Sequence, residues 1–329
     1  MKHIVCYSGG HSSGLVAIEV VRRYGKENVI LLNHDISAKV EPSDIKRFKK
    51  QVADYLGIPI TYKNYNDLPV DLLPDQFEVV EIEKSFISPQ TRQALCTNRL
   101  KTAPFIEYLN YFFGDKQAVI YYGFDANEPD RIEKRESILN DMGFKSDYPL
   151  ALWEKEGIDA YNDYQIKELM NVQNKVLSKK VKGLKDFKKQ YSDFIELAKS
   201  TGLVLIKDYS TLFERTISQT TEIGIEIPNT YDFFKHGNCT GCLKAGQQHW
   251  YCVYVHANHI FERAKLSEHR IGYSIIKGNF LKDLEPKFKK MKEAGVEASE
   301  HIPFQTFWAI AKKNLKKSEE EYKPCECVF

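Results

Sequence analysis

The stretch Tyr7-Ser8-Gly9-Gly10-His11-Ser12-Ser13-Gly14 decides how the rest of the chain is interpreted. A short apolar strand over residues 3–7 precedes it, and apolar residues spaced three and four apart, as in a helix, follow it. Glycines allow the backbone to approach a ligand closely, and the first N–H groups of a helix attract negative charge. The pattern therefore predicts a phosphate or pyrophosphate site. An ordinary strand-to-helix turn with a serine cap is the open alternative.

Two common nucleotide-binding motifs are absent, since no Gly-Lys-Ser/Thr follows the turn and its glycines do not form GxGxxG. Instead, residues 8–13 resemble the SGGxDS loop of the PP-loop ATP pyrophosphatases. These enzymes, also called adenine nucleotide alpha hydrolases, include the phosphoadenosine phosphosulfate (PAPS) reductases. In this chain Ser12 replaces the usual aspartate, a carboxylate that helps to position Mg²⁺. The resemblance implies that ATP or a PAPS-like adenine nucleotide binds at Ser8, Gly9, Gly10, His11, Ser12 and Ser13.

The composition is that of an ordinary globular protein, with 329 residues, 43% of them hydrophobic and 28% charged. The net charge of +2 neither favours nor excludes a nucleic-acid partner. The basic runs at 46–50, 179–182, 287–292 and 312–317 lie in helical patterns and are predicted to form solvated faces. With no signal peptide and no long apolar run, we expect a cytoplasmic protein without a membrane partner.

Alternating strand and helix patterns predict an α/β fold. Strands at 29–33, 60–62 and 118–122 and a helix from Ser43 to Gly57 indicate a doubly wound parallel sheet, Rossmann-like and of the HUP type. Residues 66–90 read as a loop, whereas 165–181 and 186–201 read as amphipathic helices and 203–206 as a possible strand. We predict three parts: a nucleotide-binding domain at 1–154, a helical insertion at 155–221 and a Cys-containing C-terminal region at 222–329.

Further candidate ligands follow the predicted strands. By the resemblance, Asn33, His34 and Asp35 frame the adenine at the end of the second strand. Arg99 and Lys101 precede a predicted helix and are candidates for neutralising phosphate, or else belong to a basic surface loop.

The segment after the 118–122 strand resembles the second substrate-binding segment of the same family. Gly123 ends that strand, and Arg131 and Arg135 are four residues apart, so they share a face if the segment is helical. The predicted catalytic residues are Lys101, Arg131 and Arg135. Salt bridges from the arginines to Glu128 and Glu136 are the alternative.

Seven cysteines in a chain expected to be cytoplasmic suggest metal or redox chemistry. Cys239 and Cys242 form a CxxC pair, and Cys325 and Cys327 form a second pair near the C-terminus. A zinc site using these four thiolates is the first prediction. An iron–sulfur cluster using Cys96, Cys239 and Cys242, which is closer to the reductases, is the second. A redox dithiol or ordinary buried thiols remain open. His249, just after the first pair, is expected to act as a structural hydrogen-bonding group.

Three functions are consistent with these residues. The first is transfer of the adenylyl group of ATP to a small molecule or to a nucleobase such as one in tRNA, with Mg²⁺ and with release of pyrophosphate. Sulfur or an amine then attacks the adenylated substrate. The second is sulfonucleotide reduction, for which Glu326-Cys327 matches only part of the tail that carries the nucleophilic cysteine in the resembled reductases. The third is nucleotide binding without catalysis, which the missing aspartate favours.

Overall fold

The protein has an α/β fold, and the computed structural model describes residues 1–88, 94–152, 163–176, 184–200, 215–237 and 239–321. A five-stranded parallel sheet has the order β3-β2-β1-β4-β5. Its strands are β1 (Lys2–Cys6), β2 (Val29–Asn33), β3 (Ile60–Tyr62), β4 (Ala118–Tyr121) and β5 (Lys145–Asp147). In the register of the three central strands, Ile4 lies opposite Ile30 on one side and Ile120 on the other.

The helices connect and flank these strands. Up to β5 they are α1 (His11–Tyr24), α2 (Ser43–Leu56), α3 (Gln76–Glu83), α4 (Leu95–Thr97), α5 (Ala103–Phe112) and α6 (Pro129–Asp141). Later helices are α7 (Pro149–Leu152), α8 (Asp163–Val176), α9 (Leu184–Ser200), α10 (Gln247–His256), α11 (Asn258–Ile271), α12 (Leu281–Glu293) and α13 (Phe304–Glu321). A π-helical turn, Asn98–Thr102, joins α4 to α5.

The chain divides into two compact units. Unit 1 comprises Met1–Asn33, Lys49–Thr61 and Asn110–Glu226, and unit 2 comprises His34–Phe48, Tyr62–Leu109 and Ile227–Phe329.

Unit 1 is built on the central strands of the sheet. Their residues form continuous apolar runs, as expected of parallel strands that are covered on both faces. Ile4, Val5, Leu31 and Ile120 are completely buried. Helix α1 packs against β1 and β2, and α6 packs against β5. The predicted strands at 29–33 and 60–62 are therefore confirmed.

Unit 2 has an aromatic core. Phe77, Trp250, Phe261, Phe288 and Phe307 are all fully buried in one cluster. Buried aromatic side chains remove large apolar areas from water, so this cluster accounts for much of the unit's stability. The aromatic residues after the CxxC pair therefore pack in the core.

The sequence pattern missed several elements, among them α3, β5, α7 and α10. Residues 66–90 were predicted to be a loop, but they contain helix α3, and this prediction was wrong in that part. Asp75 caps α3: its carboxylate accepts a hydrogen bond from Glu78 N at 2.7 Å, and the Glu78 carboxylate accepts one from Asp75 N at 2.8 Å. Strand β5 was also missed, because Lys145-Ser146-Asp147 is short and polar. The helices predicted near 165–181 and 186–201 are confirmed as α8 and α9, whereas 203–206 and the basic run at 179–182 lie outside the described residues.

A buried histidine makes the stability of unit 1 sensitive to acid. His3 stacks on Tyr24 with ring centroids 3.6 Å apart, and its Nδ1 lies 2.8 Å from the Tyr121 hydroxyl. Burial, helped by the positive N-terminus, lowers the pKa of His3 from 6.5 to about 4. Between these two values the unfolded chain takes up a proton that the folded protein does not. Stability should therefore fall as the pH drops through this range.

We expect His3→Gln to remove part of this loss of stability, because glutamine does not titrate. The free energy of unfolding decreases between about pH 7 and about pH 4 in both proteins. In His3→Gln this decrease should be smaller than in the wild type by up to about 3 kcal/mol. Urea denaturation at several pH values measures it. His269→Gln, at an exposed position, serves as the control and should retain the wild-type decrease. Equal pH dependence in the wild type and His3→Gln would show that His3 is not the group responsible.

Candidate functional site

The turn between β1 and α1 has the backbone geometry of an anion site. Gly9 has φ +82°, a left-handed conformation that favours glycine, and Gly10 precedes α1 in an extended conformation. The first helical hydrogen bond runs from Gly14 N to Gly10 O at 3.0 Å. The N–H groups of Ser12 and Ser13 precede it, in the part of a helix that has no intrahelical acceptor. A negative group at this end of α1 would therefore be stabilised.

Serine hydroxyls fix the shape of the turn. Ser13 Oγ donates to Gly10 O at 2.8 Å, and Ser8 Oγ lies 3.2 Å from Ser13 Oγ and 3.4 Å from Gly10 N. Ser13 is buried, whereas Ser8 and Ser12 are exposed. The hydroxyls of Ser8 and Ser13 thus hold the turn, and the exposed Ser12 stands where the resembled loop has its carboxylate.

His11 is held by a segment distant in sequence. Thr220 N donates to His11 Nε2 at 3.3 Å. Burial, together with the nearby Arg215 charge, lowers the pKa of His11 below its usual value of 6.5. The imidazole is therefore neutral at neutral pH, as an acceptor nitrogen requires.

Gly123 brings the end of β4 against the first turn of α1. A Cβ at this position would lie 2.9 Å from Ser13 N and 3.0 Å from Ser12 C. Only glycine allows the two backbones to approach this closely without movement. The structure thus places Gly123, predicted as a nucleotide-binding residue, directly beside the predicted phosphate turn.

Lys49 is a candidate that the sequence analysis missed. It belongs to the basic run at 46–50, which was predicted to be a solvated face, but it is only 2% exposed, so for this residue the prediction was wrong. Its side chain packs on Gly9, where a Cβ would lie 3.0 Å from Lys49 Cδ. A signal was available, since Lys49 follows Ile45 by four residues and precedes Val52 by three, which puts it on the buried stripe of α2.

Asn33 links this lysine to the end of β1. Asn33 Nδ2 donates to Tyr7 O at 2.5 Å, and Lys49 Nζ lies 3.4 Å from Asn33 Oδ1. The Tyr7 hydroxyl in turn donates to Lys49 O at 2.9 Å. The side chain of Asn33, predicted to frame a base, therefore takes part in the buried network beside the turn.

Arg131 and Arg135 lie on α6, so the segment is helical, which is the condition for the two arginines to share a face. Arg131 forms an ion pair with Glu128, and its guanidinium carbon lies 4.2 Å from the centroid of the Phe124 ring. The Arg135 guanidinium lies 5.5 Å from the centroid of the Tyr122 ring. For Arg131 this is the salt bridge that the sequence analysis gave as the alternative to a phosphate contact.

Buried titratable groups line the ends of the neighbouring strands. Burial raises the pKa of Cys6 to about 12, against the opposing effects of the Tyr122 hydrogen bond and the Arg135 charge. Burial also raises the pKa of Asp147, at the end of β5, to about 7, although Tyr148 N donates to its carboxylate at 2.8 Å. The Cys6 thiol therefore stays protonated, whereas Asp147 titrates near neutral pH.

In unit 2, His34 and Asp35 already have protein partners. His34 Nδ1 donates to Lys63 O at 2.6 Å, and burial, with the charges of Lys101 and Lys63, lowers the pKa of His34 to about 4. Asp35 N donates to Asn64 Oδ1 at 2.9 Å, and Lys46 Nζ lies 3.0 Å from Asp35 Oδ1.

The two predicted cations before α5 differ in their surroundings. Arg99 pairs with Glu83 at 2.8 Å on the surface. Lys101 is half-buried in the π-helical turn, and its charge acts on the thiols of Cys96 and Cys239. Such turns are frequent at functional sites.

Three cysteines of unit 2 form a thiol cluster, defined as Cys96, Cys239 and Cys242. Burial raises the pKa of Cys96 to about 11, and repulsion from the other two thiols adds to the effect. Burial also raises the pKa of Cys239, despite the opposing charge of Lys101. The three thiols are thus near enough to interact electrostatically.

The CxxC turn is anchored through its backbone. Gln76 Nε2 donates to Thr240 O at 2.8 Å, and Cys242 N donates to His249 Nε2 at 3.1 Å. His249 Nδ1 therefore carries the proton and donates to Glu300 at 2.7 Å. Burial alone would raise the pKa of Glu300, but the hydrogen bond from His249 lowers it. His249 is a structural hydrogen-bonding group, as expected.

The metal predictions remain predictions. Cys325 and Cys327 lie outside the described residues, so the four-thiolate zinc site has only two of its proposed ligands here. Across the described parts of the chain, no three His, Cys, Asp or Glu side chains are positioned to hold a metal ion. As described, the thiol cluster therefore does not fit a metal or an iron–sulfur cluster.

Comparison with known proteins gives one distant relative. No protein-family profile and no solved structure match the sequence. The uncharacterised nin region protein ORF290 of Escherichia phage lambda is 26% identical over 182 residues, which cover 48% of this chain and 61% of the phage protein. In the described residues, no helix has the length and apolar character needed to cross a bilayer.

Replacing Gly123 should disturb the turn. We expect Gly123→Ala to lower the free energy of unfolding by about 1–3 kcal/mol, because the methyl group overlaps the backbone of α1. Urea denaturation measures this, with Gly114→Ala as the control. At Gly114 the added methyl meets its nearest neighbour at an ordinary 3.6 Å. Equal stability of the two variants would contradict the close approach of β4 to α1.

Proposed function

We propose that the protein binds an adenine nucleotide at residues 8–13 and transfers its adenylyl group to a substrate. The observation that carries this proposal is the turn of Gly9 and Gly10, which ends at the first N–H groups of α1 and has the buried Lys49 packed on it. Main-chain donors, a helix dipole and a cation together favour an anion with several charged oxygens.

The topology supports the same location. In the sheet, β2 and β3 lie on one side of β1, and β4 and β5, which follow later in the sequence, lie on the other. In a doubly wound sheet, which we propose for this protein, ligands bind beyond the carboxyl ends of the strands where the strand order reverses. The turn after β1 and Gly123 after β4 lie at that edge.

In the proposed reaction, an oxygen of the acceptor attacks the α-phosphorus of ATP. The bond from the α-phosphorus to the bridging oxygen breaks, and pyrophosphate leaves with the electron pair. The amides of α1 position the phosphates, while Arg131 and Arg135, which belong to the same unit, are proposed to neutralise the developing charge. Lys101, predicted for the same role, belongs to unit 2. Mg²⁺ would bind phosphate oxygens, since the first turn of α1 contains no carboxylate. The acceptor is a small molecule or a nucleobase, including one in tRNA.

Sulfonucleotide reduction is the second candidate, and it rests on the resemblance, which relates Cys96, Cys239 and Cys242 to the reductases. Cys327 would then act as the nucleophile toward sulfur. Nucleotide binding without catalysis is the third candidate, and it is favoured by Ser12 in place of the loop aspartate.

Nucleotide binding can be tested with two matched glycine variants. Gly9 and Gly272 both have positive φ, so alanine strains the backbone at either position, but only at Gly9 does a methyl group meet another residue. We expect the wild type to bind ATP more tightly than AMP. Gly9→Ala should weaken ATP binding about tenfold or more, whereas Gly272→Ala should not change it.

Isothermal titration calorimetry measures these affinities, and release of labelled pyrophosphate in a screen of acceptors tests the reaction. Equal affinity of the wild type for ATP and AMP would argue against phosphate recognition. ATP binding without pyrophosphate release would favour a non-catalytic role, and thioredoxin-dependent sulfite release would favour the reductase.

Metal analysis distinguishes the predicted four-thiolate zinc site from the predicted iron–sulfur cluster. If Cys239, Cys242, Cys325 and Cys327 bind zinc, protein purified without oxygen should contain about one zinc ion per chain, and Cys325→Ser should lose it while Cys96→Ser retains it. Iron with sulfide, lost in Cys96→Ser, would support the reductase arrangement instead. Elemental analysis decides between them, with Cys252→Ser, at a fully buried cysteine outside both sets, as the control.

A further inference from the structure

The outer side of helix α13 combines an exposed aromatic ring with lysines. Residues 304–318 contain four lysines and no acidic residue. Phe307 points into the core and is buried, whereas Phe304 is 64% exposed and Lys312 is exposed. Because residues four apart share a face of a helix, Phe304, Trp308 and Lys312 form one row along α13.

Helix α12 adds a lysine to this row. Lys287 Nζ lies 4.3 Å from the centroid of the Trp308 ring and donates to Gln247 Oε1 at 3.3 Å. The Phe304 ring lies edge-on to the Trp308 ring, with centroids 6.2 Å apart, and Trp308 packs against the aromatic core of unit 2. We call Phe304, Trp308, Lys287 and Lys312 the basic face.

The charge around the basic face is positive. Residues 281–318 contain nine lysines and five acidic residues. Two of these acids already have partners, since Glu285 pairs with Lys265 at 2.6 Å and Glu300 accepts a hydrogen bond from His249. The exposed Asp283, four residues before Lys287, lies at one end of the basic face. The excess of lysines attracts a polyanion.

We propose that the basic face binds single-stranded RNA. Phe304 stacks on an unpaired base, and Lys287 and Lys312 contact neighbouring phosphates. Aromatic rings placed among cations suit a single strand, because every base has a flat face and every phosphate carries a charge. An acidic protein segment would pair with the lysines but has no bases to stack on Phe304. The inference rests on the proposed function and narrows its acceptor to a nucleobase carried by RNA.

The aromatic contact is tested by fluorescence anisotropy with a labelled oligouridylate at several KCl concentrations. We expect Phe304→Ala to weaken binding about fivefold or more, without changing its salt dependence, because stacking involves no ion release. Phe304→Trp should retain the affinity. The control is Tyr111→Ala, which removes an aromatic ring of unit 1 that is 83% exposed and should leave binding unchanged.

The phosphate contacts have the opposite signature. Lys287→Gln and Lys312→Gln should each reduce the slope of log affinity against log salt concentration by about 0.7, the value for one phosphate contact on a single strand. Lys50→Gln removes an exposed lysine of unit 1 that pairs with Asp54, and it should keep the wild-type slope.

The outcomes separate this inference from the proposed function, since ATP is titrated into the same variants. ATP binding without RNA binding would overturn the inference alone. Equal competition by duplex RNA or by polyglutamate would also overturn it, as would an unchanged affinity in Phe304→Ala. RNA binding without ATP binding would overturn the proposed function and with it the role of RNA as acceptor. The two signatures together, with both controls unaffected and ATP bound, would support the basic face as an RNA site.

Discussion

The close approach of two backbones at the carboxyl ends of the central strands is the constraint on which the rest of unit 1 depends. The residue after β4 lies against the first turn of α1, and only a glycine at position 123 permits it. Because β1 pairs with β4 in parallel, the turns that follow both strands must meet at this edge. The same constraint fixes where α1 begins, and therefore where its first amide groups point.

Polar and charged side chains complete the same end of the sheet. Lys49 lies on the stripe of α2 that also carries Ile45 and Val52, and its burial follows from that position. Asn33 and Tyr7 connect the lysine to the ends of β1 and β2. A polar network at the ends of apolar strands is thus built from residues of three elements.

The sequence predicts the strands of this fold better than it predicts the site. Runs such as Val29–Asn33 can be recognised because strands covered on both faces are apolar throughout. Short or polar elements escape this test: β5 contains Lys145 and Asp147, and α3 can be identified only from its Asp75 cap. The contact of Lys49 with Gly9 and the hydrogen bond from Thr220 to His11 join residues far apart in sequence, and no local pattern contains such contacts. The thiol cluster likewise joins Cys96 to Cys239 across unit 2.

The strand order also has a consequence for how the chain is made. β1 is central, yet its partner β4 begins only at residue 118. During synthesis on the ribosome, one edge of β1 therefore remains without its neighbour while α2 to α5 emerge. An open apolar edge can pair with other chains, and long-range parallel pairing is slow. Sheet growth is therefore limited to the β2 side of β1 until β4 has been made.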